Sequence, residues 1–300
     1  MTQANTERVL QDLYMLREIG RHETGVHRPT LSDDDMKARR WLKDELAALG
    51  YEAQIDGIAN VIGYTPANGR TLLCGSHLET QNRAGWLDGV LGVVYALEAA
   101  RVLTEAGRLD IGVDVMAFSD EEGHFGDLLG SNSLIGAVTE SMLDTARDRT
   151  LGTPLREALA NAGLAGVPRA VLEPTRYVGM FEAHIEQGGT LETDGNSIGV
   201  VTSIVGSRQF HITATGVQNH AGTTRMDIRK DAGAALMRVY HRVEEHFSSL
   251  AGPRTVWTVG KITLSPGAPS IVPGFAEMLF QFRDSDLAML DRLNAALEEI

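Results

Sequence analysis

Cysteine is almost absent. Cys74 is the single one, so no disulfide can form within the chain and nothing marks a disulfide-stapled secreted fold. It follows Thr71, Leu72 and Leu73 and reads as a buried thiol on a strand. Positive charge is also scarce. Against 40 Asp and Glu stand 27 Lys and Arg, a formal net charge of −13. Nucleic-acid binders favour a basic stripe, so a nucleic-acid partner is not expected. No apolar run reaches the roughly 18 residues of a membrane span, and residues 1–8 are polar with no apolar signal core. These absences set a cytoplasmic protein with no membrane contact as the expectation. What is present is ample core material, with 43% hydrophobic residues in 300, enough for one or two domains.

The apolar spacing predicts a helix over residues 5–19 and a second from Ser32 to Leu49. Ser32 can cap the second helix, Asp33, Asp34 and Asp35 suit its positive end, and Gly50 stops it. Strands are predicted over residues 51–55, 60–64, 71–75, 111–118, 177–184 and 198–206, with a helix over 89–105 and a polar stretch of helix and loop over 139–170. Strands alternating with helices give an α/β sheet. After Gly206 the pattern changes to strand 208–215, helix 231–247, strands 255–264 and 275–283, and a helix from Ser285. That order opens a ferredoxin-like module. No internal repeat or low-complexity segment is found.

Three segments carry His or carboxylate at the predicted ends of apolar strands: Gly75-Ser-His-Leu-Glu-Thr-Gln with Trp86-Leu-Asp-Gly, Ser119-Asp-Glu-Glu-Gly-His, and Phe181-Glu-Ala-His-Ile-Glu-Gln-Gly. A divalent metal needs several such ligands gathered from distant parts of the chain. His77 and Glu79 stand two apart, so on an extended strand they share a face, and the Glu79 carboxylate can orient a metal-bound His77. As an isolated pair they would read as surface charge. Asp88 precedes a helix and reads equally as a cap. The adjacent Glu121 and Glu122 read either as a charged loop or as a division of labour between a metal ligand and a general base. His184 reads as structural when taken alone, and Gln187 can contact a polar substrate. His124 and His211 are read as structural.

Together with GVQNHAGTTRMDIRKDA, TVGKITLSPGAPSIVPG and FQFRDSD further on, these segments resemble the metal-dependent amidase branch of the aminoacylase and metallo-carboxypeptidase superfamily. N-carbamoyl-L-amino-acid hydrolases, β-ureidopropionases and allantoate amidohydrolases belong to that branch. The resemblance runs from about Asp12 to the last residue. It implies a two-domain fold, a zinc-peptidase-like catalytic α/β domain with an inserted ferredoxin-like lid and dimerisation domain, here residues 1–206 and 207–300. It further implies two divalent ions per subunit, zinc by preference, with manganese, cobalt and nickel compatible with the same donors. His77, Asp88 and His184 would hold one ion, Asp88 and Glu122 the second, and Glu121 would be the general base with Glu79 behind His77. Gln187, His220, Ser270 and Arg283 match substrate-contacting positions. The expected partners are a small ureido or carbamoyl carboxylate and a second copy of the chain.

Three departures qualify the match. Glu79 stands where relatives carry Asp, and Ser270 where they carry Asn. Relatives are also about a hundred residues longer, and their C-terminal part supplies a last metal histidine. Both domains are therefore expected to be incomplete, with an under-ligated second ion and apolar surface exposed near Leu73 and Val115. The rival readings are an N-acyl amino-acid deacylase or dipeptidase on the same scaffold, and a catalytically weak metal-binding or assembly protein.

Overall fold

The computed structural model describes residues 3–68, 71–108, 110 and 112–300. The chain divides into two compact units, Met1–Thr190 and Leu191–Ile300.

In the first unit, α1 (Thr6–Glu18) starts where the Asn5 side chain accepts from the Arg8 N–H, and it buries Val9, Leu13 and Leu16. The two-residue strands β1 (Arg21–His22) and β2 (Gly25–Val26) pair antiparallel. The hydroxyl of Ser32 caps α2 (Asp33–Ala48) by accepting from the Asp35 N–H, and Gly50 beyond it takes φ +83°, as the sequence predicts. There follow β3 (Glu52–Ile55), β4 (Val61–Tyr64), β5 (Thr71–His77), α3 (Val90–Glu105) and β6 (Gly112–Phe118). The predicted start of β6 at Ile111 lies outside the described residues. Three short helices, α4 (Leu129–Leu134), α5 (Glu140–Thr145) and α6 (Leu155–Asn161), lead to β7 (Tyr177–Phe181).

The sheet order is β3-β4-β6-β5-β7, and β5 runs parallel to both β6 and β7. Parallel neighbours require crossovers, and α3 is the one between β5 and β6. His77 is in register with Phe118, so the loops leaving β5 and β6 emerge at one edge, as does the chain after Phe181. This carboxyl edge is where open α/β sheets place their ligands.

All of β6 is buried, and it is apolar apart from Asp114, whose carboxylate accepts from the Thr65 N–H, the Arg176 guanidinium and the Tyr177 hydroxyl. Val115 at 0% exposure joins the cluster formed with α1, α2 and α3, while Leu73 at 5% packs with Ile62, Met116, Phe118 and Leu134 on the other face. The expected exposure near Leu73 and Val115 is therefore not found, because these central strands are covered on both faces. The exposed apolar side chains lie on the edge strand instead, at Val178, Met180 and Phe181.

Two predicted strands are corrected. β7 stops at Phe181, so His184 lies in the following loop. Residues 198–205 form no strand. Ile198, Val200, Val201 and Ile204 are each more than three-quarters exposed. β-branched residues favour the extended state, but a strand needs a ladder to a neighbour, and among the described residues none is offered here.

α7 (Thr190–Thr193) crosses the boundary between the units. In the second unit β8 (Gly206–Thr215), β9 (Asn219–His220), α8 (Ala232–Leu250), β10 (Val256–Ser265), β11 (Ile271–Val272), β12 (Phe275–Asp284) and α9 (Leu287–Glu299) follow the predicted order, with β9 and β11 added as a short pair. The antiparallel sheet β10-β12-β8 alternates along β12. Ala276, Met278, Phe280 and Phe282 are buried, the two phenylalanines among Val243, Phe247, Leu290 and Leu293. No helix among the described residues is long and apolar enough to cross a membrane.

Candidate metal centre

His77, at the end of β5, meets Asp88 and His184 at the carboxyl edge of the first unit, where one ligand atom from each lies within 4.8 Å of the others. The His77 Nδ1 is 3.0 Å from the Glu79 carbonyl oxygen, and the His184 Nδ1 is 2.7 Å from that of Ile185. A carbonyl only accepts, so in each neutral ring Nδ1 carries the proton and Nε2 keeps its lone pair. The His184 Nε2 is 3.1 Å from Asp88 Oδ1, and the His77 Nε2 is 4.0 Å from the same oxygen. Asp88 Oδ1 is buried with no hydrogen-bond donor. Three acceptors converging without a donor are costly unless a cation lies among them, and this nitrogen and oxygen set fits a divalent metal. Space is tight around the ring of His77. Gly89 holds φ +68°, and a Cβ there would fall 2.5 Å from the imidazole.

The turn after β6 is folded around Asp120, whose carboxylate accepts from the N–H groups of His124, Phe125 and Gly126 and from the Thr30 hydroxyl. This turn presents Glu121, with Oε2 3.4 Å from the His77 Nε2. Burial pushes the Glu121 carboxyl above its usual range. His77 opposes the rise, and Glu122 and Glu79 add to it. Glu122 turns toward Gln81, accepting from its N–H at 3.3 Å and from its Nε2 at 2.7 Å. Asp88 Oδ2 accepts from the Gln187 Nε2 at 2.6 Å. The two carboxylates expected to share a second ion are each held by a glutamine amide.

Glu79 behaves differently from its expected role. Its carboxylate lies 4.0 Å from the His77 Nδ1, and its main-chain carbonyl is what faces that ring. The strand ends at His77, so residues 77 and 79 no longer share a face. The carboxylate instead accepts from the Arg39 Nη2 at 2.5 Å and from the Glu121 N–H at 2.6 Å. Burial works to raise the Glu79 carboxyl, but Arg39 and then His77 outweigh it and hold it below the usual range. Arg39 and Gln81 were not singled out from the sequence. Gln81 lies in the same segment as His77, which was a usable signal. Arg39 sits mid-helix among other charges and offered none.

His124 is buried with Nε2 2.9 Å from the Thr80 carbonyl, a structural placement. His211 lies on β8 with Nε2 2.8 Å from Glu277. In the second unit, β9 and β11 bring His220 opposite Ile271, and the Ala221 N–H donates to the Ser270 carbonyl at 2.8 Å, so His220 and Ser270 are neighbours. The His220 Nδ1 accepts from the Gly222 N–H, which leaves Nε2–H of the neutral ring to donate. Arg283 is not gathered with them. It stands near the end of β12 opposite Ser207, whereas β11 precedes the other end, about 25 Å away along the strand at ~3.3 Å per residue.

Residues 60–149 match Peptidase family M28, and residues 202–300 match the peptidase dimerisation domain. The chain is 32% identical to an N-carbamoyl-L-amino-acid amidohydrolase of Paenarthrobacter aurescens, over 100% of this chain and 75% of that enzyme. It is 33% identical to the allantoate amidohydrolase of Escherichia coli, over 91% of this chain and 68% of that enzyme. Among solved structures, an amidase of the hydantoinase/carbamoylase family from Burkholderia phymatum shares 45% identity at a TM-score of 0.90, covering 100% of this chain and 74% of its own.

Proposed function

The chain belongs to the hydantoinase/carbamoylase family of amidases, hydrolases of carbon–nitrogen bonds, and we propose that it hydrolyses the N-carbamoyl or ureido group of a small carboxylate. The observation that carries this reading is the convergence of His77, Asp88 and His184 on a donor-free Asp88 oxygen beside Glu121.

The relatives and the donor set support a divalent metal. His77, Asp88 and His184 would hold it, and when bound it supplies positive charge that polarises a carbonyl and acidifies water. A second ion would share Asp88 and Glu122, with Gln187 and Gln81 yielding or sharing the oxygens they now hold. Zinc suits these donors, and manganese, cobalt and nickel are compatible. Glu121 takes the proton of the attacking water at its carboxylate and delivers it to the departing nitrogen. Its raised proton affinity favours the first half of that transfer, the taking of the proton. Glu79 stands behind this pair rather than in it.

Gln187, His220, Ser270 and Arg283 are assigned to substrate contact. The donating Nε2–H of His220 is of the kind a developing oxyanion accepts. The separation of Arg283 from His220 weighs against both touching one small substrate within one chain. Residues 1–206 are proposed as the metal-binding domain and residues 207–300 as a lid through which two copies associate. The dimerisation-domain match supports that association, which light scattering would read.

The reading predicts the order of rates on a matched panel. With the amino acid held constant, the N-carbamoyl derivative is hydrolysed at least about tenfold faster, by kcat/KM, than the N-acetyl derivative or a dipeptide. A site that hydrogen-bonds the terminal ureido N–H₂ leaves its polar groups unpaired on an acetyl methyl. Faster release from the acetyl compound would move the assignment to a deacylase.

A further inference from the structure

Beneath the metal centre lies a fully buried charge cluster that the reaction as described does not use. Arg39, Asp35 and Glu79 are each 0% exposed. The Arg39 Nε sits 2.9 Å from both Asp35 oxygens, and its Nη1 donates to the carbonyls of Ala59 at 2.8 Å and Phe118 at 3.2 Å. Its Nη2 donates to Glu79 Oε2 at 2.5 Å, while Glu79 Oε1 accepts from the Glu121 N–H at 2.6 Å. One guanidinium therefore grips both the end of β6, through Phe118, and the carboxylate that holds the main chain of Glu121.

We infer that Arg39 is a positioning residue for the reaction, acting through the Glu79 carboxylate to fix the peptide that aims Glu121. The inference rests on the reading of Glu121 as the base. Three features support a positioning role over simple core stability. Burying one arginine with two carboxylates is a poor source of stability, since hydrophobic replacements of similar volume often do as well. The planar fork divides its donors among Asp35, the β6 end and Glu79, which a lysine cannot reproduce. The longer side chain at position 79 spends its reach on Arg39 and the Glu121 N–H, while the main-chain carbonyl alone faces His77.

A double-mutant cycle tests this, on N-carbamoyl amino-acid substrate with turnover expressed per bound metal. Arg39→Lys is expected to lower kcat about 10–100-fold, the scale on which a displacement of about 1 Å costs rate. KM should stay within about threefold. Cobalt(II) uptake, followed by its visible spectrum, should also stay within about threefold, because His77, Asp88 and His184 are not touched by Arg39. In a Glu121→Gln background the same substitution should change residual kcat by less than about twofold, since nothing remains to be aimed. Equal losses in both backgrounds, a silent Arg39→Lys, or a kcat loss that tracks lost cobalt would overturn the inference. If Arg39→Lys does not fold, Glu79→Gln decides by the same cycle, because it keeps an oxygen for the Glu121 N–H and removes the charge that Arg39 grips. An active Glu121→Gln would instead sink the reading of the base, an outcome separate from an inactive Glu121→Gln with additive Arg39→Lys.

Discussion

Glu121→Gln is expected to reduce turnover by about 10²–10⁴-fold, the usual worth of a general base, while the protein keeps its metal. The substitution is nearly isosteric and removes the one carboxylate that stands 3.4 Å from the His77 Nε2 without a glutamine amide of its own. Its neighbour Glu122 is engaged by Gln81, and Asp88 by Gln187, so neither is equally free to take a proton. The Glu121 N–H would still reach Glu79, so the turn around Asp120 should hold and the unfolding temperature should move little. Stopped-assay kinetics with metal analysis on the same sample check this. Near-wild-type turnover, or turnover lost only in step with metal, would remove Glu121 from the role of base.

Asp88→Ala and His184→Ala should each abolish measurable turnover by releasing the metal. Each deletes one of the three ligand atoms that converge among the described residues. Loss of an outer partner of a metal ligand already costs roughly 10–100-fold in affinity or activity, and loss of the ligand itself should exceed that. The two variants differ in a useful way. Removing Asp88 takes away the donor-free oxygen and should leave the two imidazoles weakly competent at best. Removing His184 leaves Asp88 with His77, and His184 is the more exposed of the two histidines, so folding should be nearly unaffected. Isothermal titration with zinc or cobalt measures both. A variant that retained wild-type affinity would show its residue to be structural; for Asp88 that role would not be a helix cap, since its side chain accepts from no N–H of α3.

Much of this was legible in the sequence because local rules and tertiary structure agreed. The Ser32 cap, the mostly apolar β6 and the helix after Gly89 were each set by short-range chemistry. The convergence of His77, Asp88, Glu121 and His184 follows once β5, β6 and β7 are parallel, since every loop at the carboxyl edge then meets. What was hidden depended on contacts between segments far apart in sequence. The strand expected over residues 198–206 has the right composition, yet residues 198–205 have no described neighbour to pair with. The Glu79 carboxylate finds Arg39, forty positions earlier, and no periodicity could announce that pair. Arg39 itself looks like any cation on a charged helix until its full burial is seen.

The chain is proposed to cleave a carbamoyl carbon–nitrogen bond through a metal that His77, Asp88 and His184 would hold. The most direct measurement is turnover of an N-carbamoyl amino acid by chelator-dialysed protein, with products read by mass and metal counted per chain as zinc, manganese, cobalt or nickel is restored. The account predicts no turnover in the metal-free protein and recovery that rises with bound metal, yielding the free amino acid with ammonia and carbon dioxide. Turnover that persists without metal, or metal-loaded protein that releases no amino acid from any carbamoyl or ureido substrate, would contradict it.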